Sequence, residues 1–282
     1  MSVIAIVGAG NLGGTLAHAI ALGDFCREIR FIDDSVSVAA AKAIDITQAG
    51  PIEHFQTKLV ADQGTGFTLG ADIIILTGPA SHPETEWDLN NGRTMLRQIS
   101  NVNRQAVIIC AGAGHRQLVD VGINEVGLSR HRILGSAPEA YRAAARALIA
   151  LKVGCAPSSI ALTVLGTPPH SAVIPWSQAS IGGALLEAQV TPMQCSQLEH
   201  HLQRIGPLGP YALASAASLV ARAILSRNGR QPCCYIGLDG ELSVQNQVMS
   251  TLVTLDTFGV THIFEPHLTP HESGKLEAAK ND

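Results

Sequence analysis

Val3-Ile4-Ala5-Ile6-Val7-Gly8-Ala9-Gly10-Asn11-Leu12-Gly13 decides how this chain of 282 residues folds. Val3–Val7 is a short, continuous apolar run, the pattern of a strand buried on both faces. A G-x-G-x-x-G turn follows. Leu12, Leu16, Ala19 and Ile20 then recur at helical spacing as far as Gly23, which is expected to stop the helix. Strand, glycine turn and helix in that order are the setting in which this pattern holds a dinucleotide. Gly8 makes the tight turn, Gly10 lets the backbone approach a pyrophosphate, and Gly13 lets helix and strand pack closely. The helix N-terminus then offers free N–H groups and the positive end of its dipole to the phosphates.

Outward from this unit, Ile29–Ile32 reads as a second strand, and Asp33 closes it 20 residues beyond Gly13. A carboxylate there accepts from the ribose hydroxyls and repels a 2′-phosphate, so NAD is expected rather than NADP. Asp34 adds to that repulsion. The expected cofactor contacts are Gly8, Gly10, Asn11, Leu12, Gly13, Asp33, Thr77 and Gly78. Further buried strands are expected at Ala71–Thr77, Ala106–Ala111 and Arg132–Gly135, alternating with helices. That alternation implies right-handed βαβ units and a doubly wound parallel sheet over residues 1–136.

The texture changes at Pro138. Helices are expected at Pro138–Leu151, Pro192–Arg204 and Tyr211–Ser226, and one strand at Ile160–Gly166. Cys233–Leu238, Val248–Leu255 and Val260–Phe264 alternate like antiparallel strands. Thr269-Pro270-His271-Glu272 is a capping box, so a helix should run from it to about Lys280. Residues 137–282 thus read as a mixed α/β domain.

Composition excludes several classes. Hydrophobic residues at 46% against charged residues at 15% argue for a folded core. A net charge of −4, no basic stripe and 4% aromatic residues argue against a nucleic-acid partner. The run Val3–Val7 ends at Gly8, too short for a signal core or a membrane span. The six cysteines form no C-x-x-C pair and read as reduced thiols of a cytoplasmic protein. No metal-ligand spacing links the histidines, so no metal is expected.

The segments IAIVGAGNLGGTLAHAIAL, IRFIDD, AKAIDITQAGP, GADIIILTGPA, HRILGS, ALTVLG and GVTHIFEPHLTPHE make the chain resemble the lactate/malate dehydrogenase family along nearly its whole length. The resemblance implies a Rossmann domain followed by a mixed α/β substrate domain. It also implies hydride transfer between NAD and the CH–OH group of a small 2-hydroxy acid, in a homodimer or homotetramer. The family's catalytic groups do not carry over. Pro168 stands where the proton-accepting histidine is expected, Tyr141 where its aspartate is, and Ala144 where the arginine that grips the substrate carboxylate is. In the mobile loop Ser81 replaces an arginine, and Glu84 and Glu86 follow in place of a second. Ala113-Gly114 replaces an asparagine–proline pair. Loss of a general base alone costs about 10²–10⁴ in rate.

His170, two residues after Pro168, is the tentative catalytic residue. His82 and His115 lie in loops at strand ends, while Arg93, Arg142 and the adjacent His200 and His201 suit surface roles. Three readings follow. The first is a dehydrogenase acting on an altered, less anionic small molecule. The second is an NAD(H)-binding homologue without turnover, serving as regulator or redox sensor. The third is a structural, oligomeric partner.

Overall fold

Runs of β-branched residues with no polar interruption become the centre of the molecule, because only a strand covered on both faces can be apolar at every position. Val3–Val7 (β1), Ile73–Leu76 (β4) and Val107–Cys110 (β5) are buried at every residue. The computed structural model describes residues 2–226 and 229–280.

In chain order, β1 leads to α1 (Asn11–Gly23), β2 (Glu28–Ile32), α2 (Val36–Glu53) and β3 (Lys58–Asp62). β4, α3 (Leu89–Val102), β5, α4 (Arg116–Asn124) and β6 (Ile133–Gly135) follow. Next come α5 (Ala137–Val153), β7 (Ile160–Ala161), β8 (Leu165–Thr167), β9 (Ser171–Val173), β10 (Ser180–Ile181) and β11 (Ala184–Leu185). The chain continues through α6 (Pro192–Gln203), α7 (Pro210–Ser226), β12 (Cys233–Asp239), β13 (Gln245–Asp256), β14 (Gly259–Ile263) and α8 (Pro270–Ala279).

Strands β3-β2-β1-β4-β5-β6 pair in parallel, with the order reversing at β1. The same sheet continues into β12, β13, β8 and β9 with antiparallel pairing, and β14 pairs with β13, so eleven strands form one sheet. α1 buries Leu12, Leu16, Ala17 and Ile20 and packs against α7, which buries Leu213, Ala217 and Val220. The two ends of the chain are thus joined through helices as well as through the sheet. Among the described residues, no helix is long and apolar enough to cross a membrane.

Three expectations need correction. The residue that ends α1 in left-handed conformation is Asp24, at φ 43°, not Gly23. Its carboxylate repays the unusual backbone by accepting from Gln56 N, Thr57 N and Thr57 Oγ1. The single strand expected at Ile160–Gly166 is two strands in different sheets. β7 pairs with β10, whereas β8 pairs with β13. Between them side chains take the carbonyls a ladder would use: Arg142 Nε donates to Leu162 O and Ser250 Oγ to Val164 O. β3 was not foreseen; it is an edge strand with exposed charged ends, so periodicity marks it weakly. The capping box at Thr269 forms as expected and starts α8.

Candidate dinucleotide cleft and the hollow beside it

At the C-terminal end of β1 the chain turns through Gly8, whose φ of 109° only glycine adopts freely. A side chain at Gly13 would run into the Gly8 carbonyl, so helix and turn are packed as closely as the sequence implied. The order reversal at β1 places this turn where open α/β sheets bind ligands.

The segment after β4, Thr77–Trp87, lies across the turn. Gly10 N donates to Gly78 O at 3.0 Å, and Asn11 N to Pro83 O at 2.8 Å. A Cβ on Gly10 would stand 2.9 Å from Gly78 O and 3.0 Å from Pro79 O, so its close backbone approach is made to the chain itself. Asn11 Nδ2 donates to Glu84 Oε1 at 2.6 Å. Thr77 Oγ1 donates to Gly8 O, and Trp87 Nε1 to Val7 O at 2.9 Å, fastening both ends of the segment to β1 and its turn. On the other side, Lys42 Nζ donates to Ala9 O and Gly10 O, and burial lowers its pKa despite Asp33 nearby.

Asp33 is only 4% exposed. Its Oδ2 accepts from Ala9 N and Ala80 N, and its Oδ1 from Ser35 N. A carboxylate has about four lone-pair sites, so three are engaged before any ribose arrives. Leu12 is buried on the core side of α1. Gly8, Gly10, Asn11, Gly13, Asp33, Thr77 and Gly78 do converge at one place.

A dinucleotide needs the N–H groups at the start of α1 for its pyrophosphate and the acid after β2 for its ribose. Here the N–H groups of Gly10 and Asn11 are held by the chain's own carbonyls. With the Thr77–Trp87 segment in this position the residues do not fit the cofactor, although their types and positions do.

The segment also closes the next loop along. Glu86 Oε1 accepts from Ala113 N at 2.6 Å and Oε2 from Gly114 N at 3.0 Å, at the approach to α4. His115, 2% exposed, accepts from Gly112 N through Nδ1. That bond fixes the proton on Nε2, which among the described residues has no hydrogen-bond partner. Burial pushes the His115 pKa down; Glu86 and the Trp87 backbone act in the opposite direction without overcoming it. His115 is therefore a neutral, structural imidazole.

Ala113 belongs to a second feature as well. It lines a hollow of about 40 Å³ together with Tyr141, Pro168, Ile205, Pro207 and Leu208. Tyr141 is 2% exposed, and burial pushes its hydroxyl up to about 12, with Glu199 adding to the effect. Pro168 is pinned by Tyr235 Oη, which donates to its carbonyl at 2.6 Å. Among the described residues, no arginine lines this hollow. Arg142 is spent on Glu139, Leu162 O and Gln231 O, and Arg93 on Glu125. His170 is exposed in the turn between β8 and β9 and is not among the lining residues. His82 is exposed on the closing segment.

Sequence reading singled out Glu84 and Glu86 only as acids standing where the resemblance expects an arginine. Their partners are the chain's own donors, which the acids in place of arginines could have signalled. The carbonyls of Gly78 and Pro83 carry no signal in side-chain identity.

A glycine turn between the first strand and helix of a parallel sheet, backed by an acid after the second strand, defines a dinucleotide-binding domain of Rossmann type. Residues 2–113 match the family described as lactate/malate dehydrogenase, NAD binding domain. The chain is 24% identical over 295 residues to malate dehydrogenase of Dehalococcoides mccartyi, covering 99% of this chain and 96% of that one. Its fold matches the structure of malate dehydrogenase from Salinibacter ruber with a TM-score of 0.89 at 20% identity, covering 99% and 94% of the two chains. Lactate dehydrogenase of Cryptosporidium parvum, solved with lactic acid and nicotinamide adenine dinucleotide, matches with a TM-score of 0.89 at 22% identity, covering 99% and 95%. The chain is similar along nearly its whole length to lactate and malate dehydrogenases, and the cofactor of its N-terminal domain is NAD.

Proposed function

We propose that the chain is an NAD-dependent oxidoreductase acting on the CH–OH group of a small molecule that is 2-hydroxy-acid-like or less anionic. The observation that carries this reading is adjacency: Ala113 offers its N–H at the edge of the cofactor cleft and also lines the hollow. Residues 1–136 serve the cofactor and residues 137–282 the substrate, in a cytoplasmic homodimer or homotetramer. Among the described residues the hollow offers no cation, so a carboxylate entering it would be buried unpaired, which favours a less anionic substrate. His170 is the proton acceptor of this reading, and reaching the hollow requires the β8–β9 turn to reorient.

A second reading is an NAD(H)-binding homologue without turnover. It is favoured by the small volume of the hollow, about 40 Å³, against the ~300–1,000 Å³ of ordinary small-molecule sites. Titration of NADH into the protein, followed by 2-oxo acids, neutral ketones and aldehydes, separates the two. Oxidation of NADH by one of them, lost in His170→Ala, is the result expected of the enzyme. Binding that Asp33→Ala weakens, with no oxidation across the panel, is the result expected of the homologue without turnover.

A further inference from the structure

We infer that the Gly78–Trp87 segment is an intramolecular gate on the dinucleotide cleft, which NAD(H) enters only when the segment is displaced. The inference rests on the cofactor of the reading above and adds how access to it is controlled.

The segment meets the cleft with acceptors. The carbonyls of Gly78 and Pro83 take the N–H groups of Gly10 and Asn11 at 3.0 and 2.8 Å. The Glu86 carboxylate takes the N–H groups of Ala113 and Gly114 at 2.6 and 3.0 Å. Four backbone donors, two at the start of α1 and two at the approach to α4, are thus satisfied by one stretch of chain. Donors of this kind, at a helix start and in a turn, attract anions and phosphates. A dinucleotide and the segment compete for the same N–H groups, so they exclude each other.

What holds the segment down is polar and marginal. Ser81, His82, Pro83, Glu84 and Thr85 are all exposed. Thr85 N and Oγ1 donate only to His82 O, within the segment itself. Its apolar anchors are Ala80 and Trp87, both partly buried against the core, with Ala80 N on Asp33 Oδ2 and Trp87 Nε1 on Val7 O. An element with few buried contacts and exposed hydrogen bonds belongs to the low-stability end of a fold, where opening is accessible. A closed state that dominates lowers apparent affinity by the fraction of molecules open.

The test uses the full chain and NADH as the probe. Dissociation constants for the native protein, Glu84→Ala/Glu86→Ala and Glu86→Gln are measured by calorimetry, with circular dichroism confirming each fold. Amide hydrogen exchange over residues 78–88 is followed with and without NADH. The gate predicts binding tightened about tenfold in the double variant, as a closed state weakened by about 1.4 kcal/mol would give. It also predicts that NADH speeds exchange at Ala80 and Trp87 in the native protein, whose N–H groups donate to Asp33 and Thr77. If the double variant does not fold, the exchange experiment on the native chain decides alone: faster exchange upholds the gate and unchanged exchange overturns it. Equal affinities with unchanged exchange overturn the gate and leave the NAD-dependent reading standing. No NADH binding by any of the proteins overturns both.

Discussion

The cofactor cleft and the hollow lie side by side, yet they are closed by different forces. Backbone carbonyls and the Glu86 carboxylate close the cleft, on an exposed segment that folds over existing donors. Apolar packing closes the hollow: Tyr141, Pro168, Ile205, Pro207 and Leu208 leave about 40 Å³ among them. Hydrogen bonds to solvent-accessible groups contribute about 1 kcal/mol each, because water offers the same bond once they break. Packed apolar side chains have no such alternative. The cleft is therefore held by bonds that water can replace, whereas the hollow is held by apolar contacts of buried Tyr141 and Pro168 with the less buried Ile205, Pro207 and Leu208.

The largest expected effect follows from that contrast. Tyr141 belongs to the buried cluster with Ala145, Ile149, Val164 and Trp176. Tyr141→Ala removes an aromatic ring from it and should cost about 4 kcal/mol of stability, read as a fall in the urea midpoint with an unchanged slope. A loss below about 1 kcal/mol would show that the hollow is loosely packed and able to open as readily as the cleft. The same variant enlarges the hollow, so xenon should occupy it more readily in the variant than in the native protein.

An intermediate effect probes a carboxylate that binds backbone donors as Glu86 does, but out of reach of water. Glu272 is 6% exposed and accepts from Thr269 N, Thr269 Oγ1, Ser177 N and Ser177 Oγ. Burial acts to raise its pKa, but these bonds together outweigh burial and hold it below the usual carboxylate range. Glu272→Ala removes the cap of α8 and the tie to Ser177, at a cost of about 2 kcal/mol at neutral pH. A depressed pKa stabilises the fold above the unfolded value, about 4.3 for glutamate, and that contribution is lost as pH falls through the folded value. The gap in stability between native protein and variant should accordingly shrink from pH 7 to pH 3. A gap of constant size would mean that ionisation of Glu272 contributes nothing.

What the sequence made legible follows the same division. Periodicity located β1, α1, α5, α6, α7 and the antiparallel strands β12, β13 and β14, because burial of side chains decides those elements and side chains are what a sequence specifies. The Thr269 box announced α8 for the same reason. The break at Leu162 and Val164 was hidden, since both are apolar and buried and only distant Arg142 and Ser250 reveal it. In the site, the glycine turn and Asp33 were visible as types. Their engagement by Gly78 and Pro83 was not, because backbone carbonyls are common to every residue. Pro168 was visible as the residue standing where the resemblance expects a histidine, and in the structure it lines the hollow.

The smallest expected effect separates the two acids of the gate. Glu84 and its bond to Asn11 Nδ2 are exposed, whereas Glu86 is half-buried and bonded to two backbone donors. An exposed hydrogen bond is replaced by water at little cost, so Glu84→Gln should change stability by less than about 0.5 kcal/mol. Its carbonyl still accepts from Asn11, and only the charge facing the start of α1 is lost. Charges near a helix N-terminus contribute about 0.3–1 kcal/mol at low salt and fade as salt rises. Thermal midpoints of the native protein and Glu84→Gln should therefore differ slightly at low ionic strength and coincide at high. A difference that persists in salt, or one as large as that of Glu86→Ala, would make Glu84 a principal latch and shift the weight of closure from the α4 side of the cleft to the glycine turn.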